Sequence, residues 1–173
     1  VLVLNMVFGG QFVSRLNRIL REEKGYTYGV HTSFDCRRWP GPFVMQGSVQ
    51  ADATAESVQE VLEQMAAISG DGAVTPPELN LARAALTRGF ARGFETAGQV
   101  ARGVAQLVQH DLPMDDYDQF VPRVEAVDGA AVTAAAATHL HADRAVAVVV
   151  GPADQIAEGL ATLGLGDLLQ VEA

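Results

Sequence analysis

The stretch that most constrains this chain is a change of hydrophobic period at Gly25. Before that glycine, Phe12, Leu16, Ile19 and Leu20 recur at helical spacing with arginines on the other side, so residues 11–24 read as an amphipathic helix. Gly25 supplies its stop, because glycine takes the left-handed conformation at low cost. Beyond it the period becomes two. Tyr26, Tyr28, Val30, Thr32, Phe34 and Cys36 share one face, and Thr27, Gly29, His31, Ser33 and Asp35 share the other. Trp39-Pro40-Gly41-Pro42 signals a turn. Phe43, Met45, Gly47, Val49 and Ala51 then alternate again. Two alternating runs about a turn predict an antiparallel hairpin.

The rest of the chain is mostly helical in pattern. Residues 1–8 are apolar almost throughout and fit either a buried helix or a buried strand. Helices are expected over residues 54–69, from Thr75 to about Phe94, over 100–110, 115–126 and 128–139, and briefly over 154–161. Thr75-Pro76-Pro77-Glu78 is a helix start of the capping-box type, and Thr96-Ala97-Gly98-Gln99 repeats it. Residues 145–150 are apolar and end at Gly151-Pro152, so a buried strand is expected there. That strand is expected to insert beside the hairpin. The fold class is α+β: an antiparallel or mixed sheet layer with helices packed on one face. Three strands make a small sheet, which implies a further strand upstream and an edge open to strand-to-strand dimers.

At 173 residues, with 49% apolar and 19% charged, the chain suits one globular domain, residues 1–173. It starts at Val1 inside an apolar segment, as a piece of a longer protein would. The net charge of -9 argues against a general nucleic-acid or anionic-membrane binder. No apolar run reaches about 18 residues, so no transmembrane helix is expected, and a soluble protein of the cytoplasm or periplasm fits. A local basic cluster, Arg15, Arg18, Arg21 and Lys24, reads either as a solvated helix face or as a surface that meets an acidic partner or a substrate carbonyl. The single cysteine, Cys36, rules out an internal disulfide and a multi-thiolate zinc site.

Catalytic signatures are missing. The histidines are His31, His110, His139 and His141, and neither H-E-x-x-H nor H-x-x-E-H occurs. His31 and Cys36 lie on opposite strand faces and cannot form a nucleophile–base pair. There is no phosphate-binding glycine loop and no G-x-S-x-G. No catalytic residue and no metal ligand is therefore assigned within these residues.

One stretch carries a resemblance. Gly9-Gly10-Gln11-Phe12-Val13-Ser14-Arg15-Leu16-Asn17 continues through Leu20-Arg21-Glu22-Glu23-Lys24-Gly25-Tyr26-Thr27-Tyr28. It resembles the pattern G-G-x-F-x-S-R-L-x-x-x-L-R-E-x-x-G-x-x-Y of the insulinase-type zinc metallopeptidases: pitrilysin, insulin-degrading enzyme, mitochondrial processing peptidase and their bacterial relatives. The rest of the chain agrees more loosely. The resemblance implies one half of a clamshell of two homologous α+β domains. In that family the N-terminal-type domain holds zinc through H-x-x-E-H and a downstream Glu, and the C-terminal-type domain has lost those ligands. The absence of H-x-x-E-H assigns this chain to the second type. The short Gly9-Gly10, in place of a long glycine-rich loop, favours the bacterial relatives.

By the same resemblance the substrate-binding residues are Arg21 and Tyr28, which reach substrate carbonyls near the scissile bond. The implied function is the non-catalytic, substrate-binding half of a zinc metalloendopeptidase, inactive as an isolated chain. Its partners are then an extended peptide and a zinc-bearing homologous domain, upstream in the same chain or in another subunit, with the zinc in that partner. A non-enzymatic scaffold or assembly module of the same fold is the alternative. Read without the resemblance, Arg21 is a helix-end arginine paired with a carboxylate, and Tyr28 sits on the apolar face of its strand as a core tyrosine.

Overall fold

The computed structural model describes residues 1–171. The apolar opening segment is a helix, α1 (Leu2–Phe8), buried along Val3, Leu4, Val7 and Phe8. A helix satisfies its backbone internally, so it can run through the core without strand partners. Around it pack α4 (Pro76–Phe90), α7 (Gly129–His139) and the first strand of the hairpin. The hairpin is β1 (Thr27–Phe34) against β2 (Phe43–Val49), antiparallel, with Phe34 opposite Phe43 and His31 opposite Gln46. The core gathers α1, Leu16, Leu20, Val30, the inner face of α3 (Thr54–Ser69), and residues of α4, α6 (Phe120–Ala126) and α7. This is the α+β layer of helices on a small antiparallel sheet that the residue pattern predicts.

Both capping boxes form. The Thr75 hydroxyl accepts from the Glu78 N–H while the Glu78 carboxylate accepts from the Thr75 N–H, and Thr96 and Gln99 repeat this before α5 (Ala97–Gln109). The helix expected to reach Phe94 ends as an α-helix at Phe90 and closes with a 3-10 turn, Ala91–Phe94. The helix near residue 154 is α8 (Ala153–Thr162).

Two expectations are corrected. The helix over residues 11–24 begins only at Arg15: after α2 (Arg15–Asn17) the chain widens into a π-helix, Arg18–Glu23. Residues 11–14 form a turn instead, because the N–H groups of Gly9 and Gly10 both turn back onto the Asn5 carbonyl. Phe12 thus leaves the buried stripe and is 59% exposed. Residues 145–150 form no regular element and pair with no strand among the described residues. The outer edge of β1 has no room for them. The Gly9 carbonyl accepts from the Thr32 N–H at 3.1 Å, and the Asn17 amide grips both the N–H and the C=O of Val30, at 2.8 and 3.0 Å.

Candidate functional site

Most of the motif around residues 9–28 has a structural task. A Cβ on Gly9 would lie 2.5 Å from Thr32 Cγ2, and one on Gly10 would lie 2.9 Å from the Asn5 carbonyl, so the pair lets the loop lie directly on β1. Gly25 has φ +68° and turns the chain from the π-helix into the strand. Leu16 and Leu20 are core. Asn17 is buried and spends its amide on Val30, Ser14 and the Gln11 carbonyl.

Arg15 is also structural. It is 7% exposed and forks onto Glu78 at 2.7 and 2.9 Å, while donating to the carbonyls of Gly72 and Ala73. This arginine ties α2 to the start of α4. Burial pushes the Glu78 carboxyl up, but Arg15 and the Thr75 N–H and hydroxyl outweigh it and hold the pKa at about 2. The remaining basic residues are paired as well. Arg18 meets Glu23, and Lys24 reaches Glu60 at 2.7 Å, which holds the ammonium above its usual range. The basic cluster is therefore largely neutralised within the domain.

Four fixed positions of the motif, Phe12, Arg21, Glu22 and Tyr28, have no such task, and the fold gathers them in one place. Arg21 sits on the π-helix with its guanidinium carbon 3.3 Å from the centre of the Phe12 ring. Its Nη2 donates to Glu22 at 2.5 Å, while its Nη1 is buried without a hydrogen-bond partner. Tyr28 lies on the same ring, 6.5 Å between centroids. Arg21 and Tyr28 thus flank Phe12 rather than touching through a hydrogen bond. By spacing alone Phe12 falls on the apolar stripe of the expected helix. The cue to its real position is the Gly9-Gly10 turn, which breaks the helical register before it.

Tyr28 does not join the apolar face. It is 88% exposed, although Val30 and Thr32 on its parity are buried. The cause is a β-bulge. Thr27 pairs with Val49 and Val30 with Gly47, so β1 carries one more residue than β2 across this interval. The extra residue shifts the phase of alternation and turns the Tyr28 side chain outward. The Thr27 hydroxyl holds the bulge by accepting from the Gly29 N–H and donating to the Ser48 carbonyl. Gly29, an isolated glycine inside a strand pattern, is the sequence signal for such a bulge.

A groove of about 320 Å³ opens between Gln11, Leu81, Ala84 and Arg88 of α4, and Arg92 of the 3-10 turn that follows it. Arg88 and Arg92 form no ion pair among the described residues. No grouping of three or more His, Cys, Asp or Glu side chains suited to a metal ion occurs among them either. His31 and His139 are exposed on separate elements and Cys36 is an exposed free thiol, so the donor set does not fit a zinc site. No described helix is long and apolar enough to cross a membrane.

Comparison with known proteins agrees with this geometry. Residues 1–86 match the family described as the peptidase M16 inactive domain. An uncharacterized zinc protease of Mycobacterium leprae is 27% identical over 152 residues, covering 87% of this chain and 33% of that protein. The crystal structure of a peptidase M16 inactive domain from Pseudomonas fluorescens superposes with a TM-score of 0.74 at 24% identity, covering 83% of this chain and 34% of that one. A protease from Helicobacter pylori superposes with a TM-score of 0.61 at 14% identity, over 79% of this chain and 32% of that one. The chain spans about a third of the length of these relatives. Over residues 1–86 it matches the M16 peptidase family, as a domain of the inactive type, and over most of its length it shares the fold of such a domain.

Proposed function

We propose that this domain is the substrate-positioning half of a two-domain zinc metalloendopeptidase, and that Arg21 and Tyr28 hold the backbone of an extended peptide. One observation carries the reading. Once the fixed motif residues with a structural task are set aside, Arg21 with its partner Glu22, Phe12 and Tyr28 remain, and they form one patch with an unsatisfied guanidinium N–H. A buried N–H without a partner costs on the order of 1–3 kcal/mol, so the arrangement favours an incoming acceptor. A peptide carbonyl is such an acceptor.

The chemistry suits the task. Arginine stays charged at any working pH and offers donors in a rigid fork. The Tyr28 hydroxyl adds a second donor, on a ring the bulge has turned to solvent. Donors fixed at a carbonyl strengthen as negative charge grows on its oxygen, and they also fix the peptide's register. The described residues do not fit a zinc site, so in this reading hydrolysis belongs to a zinc-bearing M16 domain in the same polypeptide or in a second subunit.

The test uses the assembled enzyme. Tyr28→Phe removes only the exposed hydroxyl and is expected to lower kcat/KM for peptides by about tenfold or more. Tyr26→Phe is the control, because the Tyr26 hydroxyl is committed to Glu56 at the edge of the fold. Equal turnover by Tyr28→Phe and the parent enzyme rejects the role for Tyr28.

A further inference from the structure

Among the described residues, the cations of this chain are almost all committed within the domain. Of the 12 Lys and Arg residues, all but Arg88, Arg92, Arg102 and Arg144 meet a carboxylate or a backbone carbonyl. Two of the four, Arg88 and Arg92, line the same groove of about 320 Å³. Like charges brought to one place repel, and Glu95, the acidic residue nearest in sequence, pairs with neither. Arg88 lies in the last turn of α4, where a cation offsets the helix dipole. That does not account for Arg92, which lies beyond the helix in the 3-10 turn, its carbonyl already accepting from the Gln99 amide.

The rest of the lining suits one kind of guest. Leu81, Ala84, Ala85 and Arg88 recur at helical spacing, so they share one face of α4. The two alanines and Gly89, on which a Cβ would meet nothing within 4 Å, leave space above the helix. Gln11 completes the lining. Its carbonyl accepts from the Asn17 amide and the Ser14 N–H, which fixes its backbone, and its own side-chain amide is a further donor. A Glu or Asp side chain matches this set. Its methylenes lie on leucine and alanine, and its carboxylate takes two guanidinium forks and an amide.

The groove and the patch share one loop, since Gln11 precedes Phe12, the ring on which Arg21 and Tyr28 meet. An extended peptide advances about 3.3 Å per residue, so one laid on the patch passes the groove within a few residues. We propose that the groove is a specificity subsite that takes an acidic side chain of the peptide, within about five residues of the cleaved bond. The inference rests on the proposed function of Arg21 and Tyr28 and adds the substrate class: peptides with Glu or Asp at one fixed position.

The test gives the assembled enzyme C-terminally amidated peptides that carry Glu or Gln at a single position, moved one step at a time around the cleaved bond. At one position Glu is expected to raise kcat/KM about fivefold over Gln. Arg88→Gln with Arg92→Gln should bring that ratio to about one, and Arg88→Glu with Arg92→Glu should make Lys the preferred residue there. Both arginines are exposed and unpaired, so these variants keep the fold. Indifference of the parent enzyme to Glu at every position overturns the proposal, as does a preference that survives Arg88→Gln with Arg92→Gln. A preference seen only when the C-terminus is left free overturns it too, because the chain end is then the guest. Arg21→Ala separates the two readings. Lowered turnover of the Gln peptides with no Glu preference in the parent rejects the groove alone. Unaltered turnover rejects the patch and, with it, the register assigned here.

Discussion

At the residue scale, the motif separates into side chains that build the loop and side chains the loop presents. Arg15 and Arg21 share a residue type and a basic neighbourhood, yet one is a buried staple and the other keeps an unpaired donor. Sequence spacing cannot divide them, because Glu78, the partner of Arg15, lies 63 residues away. The Arg15–Glu78 pair predicts an acid dependence. The Glu78 pKa falls from an ordinary 4.5 to about 2 on folding. Its contribution is therefore complete above pH about 4.5 and lost as the pH falls through about 2. Glu78→Gln should cost on the order of 2 kcal/mol at neutral pH and flatten the stability profile over that window, as read by denaturant titrations. An unchanged profile would mean that the ion pair does not set acid stability.

At the element scale, the hairpin, the long helices and both capping boxes are legible, because each is written in local periodicity and cap chemistry. The β-bulge and the π-helix are not, because each depends on partners far away in sequence. The bulge accompanies Asn17 on the Val30 backbone, and the π-helix carries Arg21 on its way into the Gly25 turn. Both irregularities fall at the candidate site, where departures from regular structure commonly aim side chains. Asn17→Ala would strip the partners from a buried N–H and C=O. A loss of about 3 kcal/mol is expected, with faster amide exchange along β1. The strand over residues 145–150 was expected in a paired, buried form. Its chemistry is there, but pairing is a property of the neighbour and not of the segment. If Asn17→Ala left β1 exchange unchanged, the loop would not be what fixes this edge.

At the scale of the whole molecule, the proposed function divides the work: this domain presents a few donors and a partner domain carries the metal. The chain purified alone and exposed to zinc should retain substoichiometric metal and hydrolyse no peptide. One zinc per chain, with hydrolysis lost on chelation, would contradict that division of labour. The likeness to the M16 family and the α+β architecture are readable from the motif and the period change at Gly25. The meeting of Arg21 and Tyr28 on Phe12 is not, since period two puts Tyr28 on the apolar strand face and only the bulge turns it outward. The central claim is that this patch holds the peptide, and peptide turnover by the assembled enzyme carrying Arg21→Ala tests it most directly. Arg18→Ala, which breaks only an exposed pair with Glu23, is the control. The account predicts a loss of about 100-fold in kcat/KM for Arg21→Ala, with thermal stability and assembly retained. Turnover equal to that of Arg18→Ala would contradict it.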